Sequence, residues 1–453
     1  MLDGSRGPHT LATNDRLDRL RRHTAAWAQL RWTSRISLSH LKGCASSPRV
    51  SGDIVGLEYA DDVINLSSLK VQRIPSELRA IDEHFVIHEA HQRPFVPSFC
   101  LDTAQDLVVF SRGVNMHHPE ARIYLSSLLL EEPHPLAAAH GMIDLGPRTS
   151  GNLELRDVCG DSLLLTHRYG TFAPLVLNWK SGVYEAESPA IACGRWMFLD
   201  ERHIFCFVHC KRDPPQPACL RVASLASAIP TAAVPASYEF ALPEFLKHAV
   251  YNVCTHTTTF EIAHAPRGCF YPDPSDRLIS VELFTDHRFR HSYILDVLAS
   301  TLTRFIAAKP GLPGEAVVVP WDAWATRGAR VTGMVDTSMS WTWMVSGSRR
   351  ATLHSNCTVL TVLDYCPRRV ARAISRGSAT VLHGAEVSVQ STSAEFGPLR
   401  TLLPCIATEI TLPESLALAG DGQLYAWICE NGVVFAKCEG DWETIVDACA
   451  YTI

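Results

Sequence analysis

The run Leu424-Tyr425-Ala426-Trp427-Ile428-Cys429-Glu430-Asn431-Gly432-Val433-Val434-Phe435-Ala436-Lys437-Cys438, near the C-terminus, reads as a β-hairpin. Asn431-Gly432 is a strong two-residue turn signal, because both positions can take positive φ. Folding about it sets Glu430 opposite Val433, Cys429 opposite Val434, Trp427 opposite Ala436 and Tyr425 opposite Cys438. Strand alternation then gathers Tyr425, Trp427, Cys429, Val434, Ala436 and Cys438 on one face, and Leu424, Ala426, Ile428, Val433 and Phe435 on the other. Both faces are largely apolar. A half-exposed sheet would alternate apolar with polar residues, whereas a sheet apolar on both sides must be covered twice. Propeller blades, each stacked face to face on the next, satisfy that demand.

The same texture extends back through the chain. Short apolar segments rich in β-branched and aromatic residues lie at 53–59, 106–111, 123–130, 163–166, 175–179, 204–208, 278–283, 292–298, 316–319, 340–345 and 358–363. Strands this frequent, with few helices between them, indicate antiparallel meanders rather than βαβ units. Strand pairs recur at roughly 40 to 60 residues, the scale of one four-stranded blade plus a loop. The fold expected is therefore an all-β propeller of about six or seven blades. No regular Gly-His and Trp-Asp signature of WD repeats is present; Trp321-Asp322 and Asp441-Trp442 stand alone. Proline-bearing connections at 211–217, 226–236, 264–275 and 309–314 read as surface loops and mark no single boundary. The expected organisation is an N-terminal tail and helix over 1–34, then one propeller-like domain over 35–453. Short helices are expected over 242–251 and 367–374, the second opened by Pro367.

Composition narrows the function classes. Of 453 residues, 47% are hydrophobic and 19% charged, which suits a well-buried protein. A net charge of −6 supplies no broad positive field for nucleic acid or an anionic membrane, so neither is expected as a partner. No apolar run approaches the roughly 20 residues that span a bilayer. The start, Met1-Leu2-Asp3-Gly4-Ser5-Arg6-Gly7-Pro8, lacks the apolar core of a secretory signal. An intracellular location, cytoplasmic or nuclear, follows as the expectation. There the 15 cysteines serve as small buried apolar residues.

Ahead of the strands lies one clear helix. Thr13 or Asn14 can cap it, and Leu17, Leu20, Trp27 and Leu30 recur at helical spacing. Asp15 with Arg19, and Asp18 with Arg22, have the favourable acid-first order four residues apart. Its arginines read first as a solvated face. This segment, Asp15-Arg16-Leu17 through Trp27, Leu30 and Trp32, resembles the entry to the C-terminal propeller-like region of a large family of fungal F-box proteins. Asp102-Thr103-Ala104-Gln105-Asp106-Leu107-Val108-Val109, Ile123-Tyr124-Leu125-Ser126-Ser127-Leu128, Asn178-Trp179-Lys180-Ser181-Gly182 and Val319-Pro320-Trp321-Asp322-Ala323-Trp324 are similar to it too. In that family an F-box docks on the adaptor subunit of a cullin–RING ubiquitin ligase, and the β-rich region selects substrate. The resemblance implies a substrate-recognition role here. The F-box itself is a helical module of roughly 40 to 50 residues, and no such module is read before the Asp15 helix. Binding to the ligase adaptor is therefore not expected of this chain.

Candidate chemistry is sparse. His203, Cys206, His209 and Cys210 are the densest metal-capable cluster, but zinc wants four convergent ligands. On one strand the histidines face one way and the cysteines the other, so no metal site is assigned. Asp286-His287-Arg288-Phe289-Arg290-His291 and His117-His118-Pro119-Glu120 read as polar turns. No nucleophile elbow, Walker loop, zincin helix or dinucleotide fingerprint is present in a convincing context. No catalytic residue and no cofactor is expected. Trp341 and Trp343 alternate along a strand and read as packed between blades, whereas Trp321 and Trp324 follow Pro320 in an expected loop and are the candidates for a partner-binding surface. The reading is a non-catalytic protein-interaction domain with an unknown protein partner. A propeller hydrolase with dispersed catalytic residues and a scaffold unrelated to ubiquitin are the alternatives.

Overall fold

Seven sheets, each hydrogen-bonded through consecutive antiparallel strands, form the blades of a β-propeller. The computed structural model describes residues 12–44, 48–61, 66–90, 99–112, 122–145, 153–167, 174–187, 196–208, 217–225, 236–243, 246, 250–256, 277–284, 292–312, 314–334, 343–354, 357–387, 399–416, 423–439 and 444–453. Blade one is Arg49–Ser51, Ile54–Asp61, Leu66–Arg73 and His84–Ala90. Blade two is Phe99–Asp102, Leu107–Arg112, Arg122–Ser127 and Met142–Asp144, and blade three is Leu153–Cys159, Ser162–His167, Leu175–Asn178 and Tyr184–Glu187. Blade four, Met197–Asp200, His203–Val208, Cys219–Ser224 and Ser237–Ala241, gains a fifth strand, Ala316–Val319, paired in parallel on its outer edge. Blade five is Val250–His256, Leu278–Phe284, Ser292–Leu298 and Ala329–Met334. Blade six is Trp343–Ser346, Arg349–Leu353, Val359–Asp364 and Cys405–Thr411, extended at its edge by Val381–Leu382. Blade seven joins the C-terminal Gln423–Cys429, Gly432–Glu439 and Thr444–Thr452 to the N-terminal Ser34–Ser37, which closes the ring. The helices are α1 (Thr13–Gln29), α2 (Ala299–Ala308), α3 (Trp321–Gly328) and α4 (Pro367–Ser375). None is long and apolar enough to cross a membrane.

Packing follows the two-faced pattern of the C-terminal hairpin. Leu424, Ala426, Ile428, Val433 and Phe435 pack toward blade six with Ala351, Leu360 and Val362. Tyr425, Trp427, Cys429, Val434, Ala436 and Cys438 pack toward blade one with Leu38, Val55 and Leu57. Each remaining junction holds its own buried apolar cluster: Val71 with Leu101 and Val108, Leu125 with Leu163, Leu164 with Ile204, Phe240 with Leu295, and Ile294 with Tyr365. Every blade is thus covered twice. Cys44, Cys100, Cys206, Cys429 and Cys438 are buried thiols; burial pushes Cys44 up to about 11 and Cys100 and Cys429 up to about 12.

Three expectations need correction. The hairpin turns on Glu430 and Asn431 rather than Asn431-Gly432, so Cys429 pairs with Gly432, Trp427 with Val434 and Tyr425 with Ala436. The slip moves each partner by two residues, which leaves every side chain on its expected face. A Cβ on Gly432 would strike the Tyr451 carbonyl oxygen, so the glycine serves close strand approach instead of the turn. The helix expected over 242–251 cannot reach its expected end, because Val250 and Tyr251 begin the first strand of blade five; residues 244–245 and 247–249 lie outside the described residues. Thr13 and Asn14 do not cap α1; the cap is Ala12, in extended conformation and without a side-chain bond. The helix over 367–374 forms as α4, with its proline in the first turn.

A buried ionic knot ties blade five to blade six. Asp296 is fully buried and pairs with Arg350 at 3.0 Å, while the Ser280 and Tyr365 hydroxyls donate to the same carboxylate. Burial is the largest single influence on Arg350 and opposes its charge, but Asp296 and Tyr365 together outweigh it and raise the guanidinium pKa; burial and Asp296 together hold the Tyr365 phenol well above its ordinary value. Removing one partner strands a buried charge, so Arg350→Ala should cost about 3–5 kcal/mol in chemical denaturation. Gly432→Ala should cost at least about 3 kcal/mol, since the atom it strikes is backbone and cannot rotate away. A Gly432→Ala protein as stable as wild type would contradict the close approach described here.

Candidate functional site

Among the described residues, the ends of the first and second strands of neighbouring blades are bonded to one another around one face of the disc. Glu430 N–H donates to Gly52 O at 2.8 Å, and Thr103 N–H to Ser51 Oγ at 3.3 Å. Gln105 donates to Gly160 O at 2.7 Å, Phe198 N–H to the Asp157 carboxylate at 2.9 Å, and Leu278 N–H to Gly347 O at 2.8 Å. The Arg277 guanidinium donates to Leu199 O. Between blades six and seven the bridge is α1. Its Trp27 Nε1 donates to Glu430 O at 3.1 Å, and the Arg349 guanidinium lies 4.2 Å from the centre of the Trp27 ring.

Local sequence explains how α1 is seated there. His23, Ala26 and Trp27 recur at helical spacing and form its buried stripe. Leu30 ends the helix in the left-handed region at φ 45°, with Arg31 N–H bonded to Ala26 O at 2.9 Å. A leucine tolerates that conformation because its side chain is locked into the core between blades six and seven. Arg19 anchors the other end on Glu77 O of blade one at 2.9 Å. The helix therefore touches blades six, seven and one across the closing seam.

Beneath it lies a dense charged cluster. Glu430 pairs with Arg79 at 2.7 Å, and Arg79 also donates to Asn431 Oδ1 at 2.7 Å. Fully buried Asn431 donates in turn to Ile74 O at 2.6 Å. Asp53 holds Arg73 at 2.7 Å. On the blade-six side, Asp364 bridges Arg349 at 3.5 Å and Arg369 of α4 at 2.9 Å. Trp27, Arg349, Asp364 and Arg369 thus form a continuous chain of contacts from α1 to α4. Burial, with repulsion from Arg369, brings the Arg349 pKa down to about 10; burial, with Asp53 adding to it, raises that of Glu430 against the pull of Arg79. Burial and the positive charges of Arg349 and Arg79 hold His23 well below its ordinary value near 6.5.

Above that cluster the surface is rich in arginine. On α1, Arg21 and Arg22 are exposed; on α4, Arg368 and Arg372 are exposed, as is Arg376 at its end. The α4 set recurs every four residues, so like charges line one face and repel one another. The negative C-terminal end of the helix dipole favours Arg372 and Arg376, but not Arg368 in the first turn. No acidic residue stands between 367 and 376 to offset them.

The residues singled out from sequence fall elsewhere. Trp321 and Trp324 lie on α3 rather than in a loop, 9% and 2% exposed, stacked edge-on at 5.2 Å. Trp324 Nε1 donates to Ala241 O at 3.0 Å, and both indoles fill the junction of blades four and five. They are core residues, and the partner-binding surface cannot be placed on them. Pro320 is the cap of α3, so the helix begins where a loop was expected. His203 Nδ1–H donates to the Asp200 carboxylate, 2.8 Å away, and Cys206 is fully buried, while His209 and Cys210 lie outside the described residues. So do 117–120, 286–291 and Trp341. Among the described residues no group of three His, Cys, Asp or Glu side chains is placed to hold a metal ion. The α1–α4 face was missed because its arginines are 350 residues apart in sequence; the one signal was the density of arginine in each segment separately.

No protein-family model and no characterised relative matches the chain. Solved structures similar to it include the WD40 domain of coronin from Toxoplasma gondii, 8% identical with a TM-score of 0.40, covering 93% of this chain and 85% of that one. The β-propeller domain of the Trilobed protease from Pyrococcus furiosus is 11% identical with a TM-score of 0.38, covering 90% and 93%. The polysaccharide lyase Uly1 is 8% identical with a TM-score of 0.43, covering 92% and 98%. Likenesses this distant assign no activity.

The His23 environment has a definite pH signature. Below 6.5 the unfolded chain binds a proton on this residue that the folded chain refuses, so stability falls as the pH drops. The advantage of wild type over His23→Gln should shrink by up to about 1.4 kcal/mol per pH unit below that value. Chemical denaturation at neutral and mildly acidic pH measures it; a pH-independent gap would show that His23 protonates freely in the fold.

Proposed function

We propose that this chain is a non-catalytic protein-binding propeller that receives an acidic segment of its partner on the α1–α4 face. In this reading it is the substrate-recognition part of an F-box-type ubiquitin-ligase adaptor. The observation that carries the binding role is the exposed arginine ladder of α4 beside the arginines of α1, on a chain whose net charge is −6. Arginine presents a planar, permanently charged fork that matches carboxylates two bonds at a time. Concentrating it on a rigid, tertiary-anchored pair of helices costs self-repulsion that an anionic partner would relieve. The link to ubiquitin rests on the resemblance of 15–32 and the blade segments to the fungal F-box family.

Quantitative affinity capture at low and raised salt tests the binding role. Wild type should retain its partners at low salt, and Arg368→Glu/Arg372→Glu/Arg376→Glu should lose most of them while melting within about 2 °C of wild type, since these side chains are solvated. An unchanged partner set would refute the assigned face. The retained partner should be longer-lived in cells that lack the chain. The ligase adaptor subunit should not co-purify with residues 1–453 alone, and firm binding there would overturn that expectation.

A further inference from the structure

The outer edges of the blades are not treated alike. An open edge strand exposes a row of backbone donors and acceptors, and chains blunt it by keeping it short or covering it. The outer strands of blades two, three and seven are short: Met142–Asp144, Tyr184–Glu187 and Ser34–Ser37. Blade four's outer strand Ser237–Ala241 is covered by Ala316–Val319, and blade six's Cys405–Thr411 is paired in part by Val381–Leu382. Blade five's Ala329–Met334 abuts the hairpin of Ala385–Val387 and Leu399–Thr401. Blade one differs. Its outer strand His84–Ala90 has seven residues and, among the described residues, no strand on its far side.

A groove of about 620 Å³ lies beside that strand, between residues 84–87 and residues 129–132 of blade two. Its far wall is held in place from the strand itself. His84 Nε2 bonds Leu129 O at 3.0 Å, and buried His88 Nε2 reaches Leu128 O at 3.4 Å. Phe85 and Ile87 are half-buried, Leu130 is 59% exposed, and Glu131 and Glu132 are exposed on the wall. Asp82 and Glu83, also exposed, precede the strand. The groove thus mixes apolar side chains with polar ones and carries carboxylates on its blade-two wall.

We propose that this edge receives an extended segment of a partner protein as a fifth strand of blade one, and that the segment alternates apolar residues with lysine or arginine. Blade four shows within the same chain that a blade accepts a fifth strand. Main-chain pairing supplies affinity, and the alternating side chains supply selectivity. Apolar residues of the segment meet Phe85 and Ile87 on the face away from blade two, while its cations, on the other face, meet Glu131 and Glu132. The surface is separate from the arginine face and independent of the ubiquitin reading.

An array of heptapeptides that alternate valine, isoleucine or leucine with either lysine and arginine or aspartate and glutamate provides the test, read by fluorescence anisotropy with the full chain. The basic set should bind roughly tenfold or more tighter than the acidic set. Glu131→Lys/Glu132→Lys should reverse the preference while retaining the wild-type melting temperature. Bound basic peptide should slow amide exchange over residues 84–90. Equal binding of both sets, indifference to the Glu131→Lys/Glu132→Lys change, or protection appearing on α1 and α4 instead would overturn the proposal.

Discussion

Burial of apolar side chains on both faces of every blade is the constraint from which the rest of this molecule follows. A sheet such as Gln423–Cys429 with Gly432–Glu439 cannot be stable alone, because either face left open would expose a row of leucine-sized groups to water. Stacking solves one face per neighbour, and only a closed ring solves both for every blade. The pairing of Ser34–Ser37 with Thr444–Thr452 is the step that removes the last open junction. Folding is in this sense committed only when the two ends of the chain meet.

Within that apolar ring, polar groups are confined to places where they organise neighbours. The knot of Asp296, Arg350, Ser280 and Tyr365 fixes blade five against blade six in one register, since each member would be stranded by a slip. The turn-to-turn bonds around one face do the same for backbone groups, and α1 carries the pattern across the seam through Trp27. Rigidity gathered there suits a surface that must present charged side chains without rearrangement. The arginines of α1 and α4 sit on the best-anchored region of the disc.

Much of the fold could be read from the residues. The two-faced hairpin is correct side chain by side chain, even though its turn lies one position earlier, because a two-residue slip preserves strand parity. Pro367 correctly opened a helix. The helix expected over 242–251 ran too far, because pairing with Leu278–Phe284 draws Val250 and Tyr251 into a strand. Trp321 and Trp324 misled for the opposite reason. A proline-led segment between strands reads as a loop, and nothing local says that it folds as a helix over the junction of blades four and five.

The sequence alone determined the alternation of apolar side chains, and with it the class of fold, because a period of two and double-sided burial are properties of neighbouring residues. Tertiary structure alone decided where charge accumulates. Trp27 of α1 and Arg369 of α4 belong to different ends of the chain and are linked through Arg349 and Asp364 only because ring closure places α1 between the first and sixth blades. It likewise decided that, among the described residues, blade one has no strand beyond His84–Ala90 while blade four gains one. Which strand acquires a neighbour depends on where a distant segment such as Ala316–Val319 comes to rest, and no local pattern encodes that.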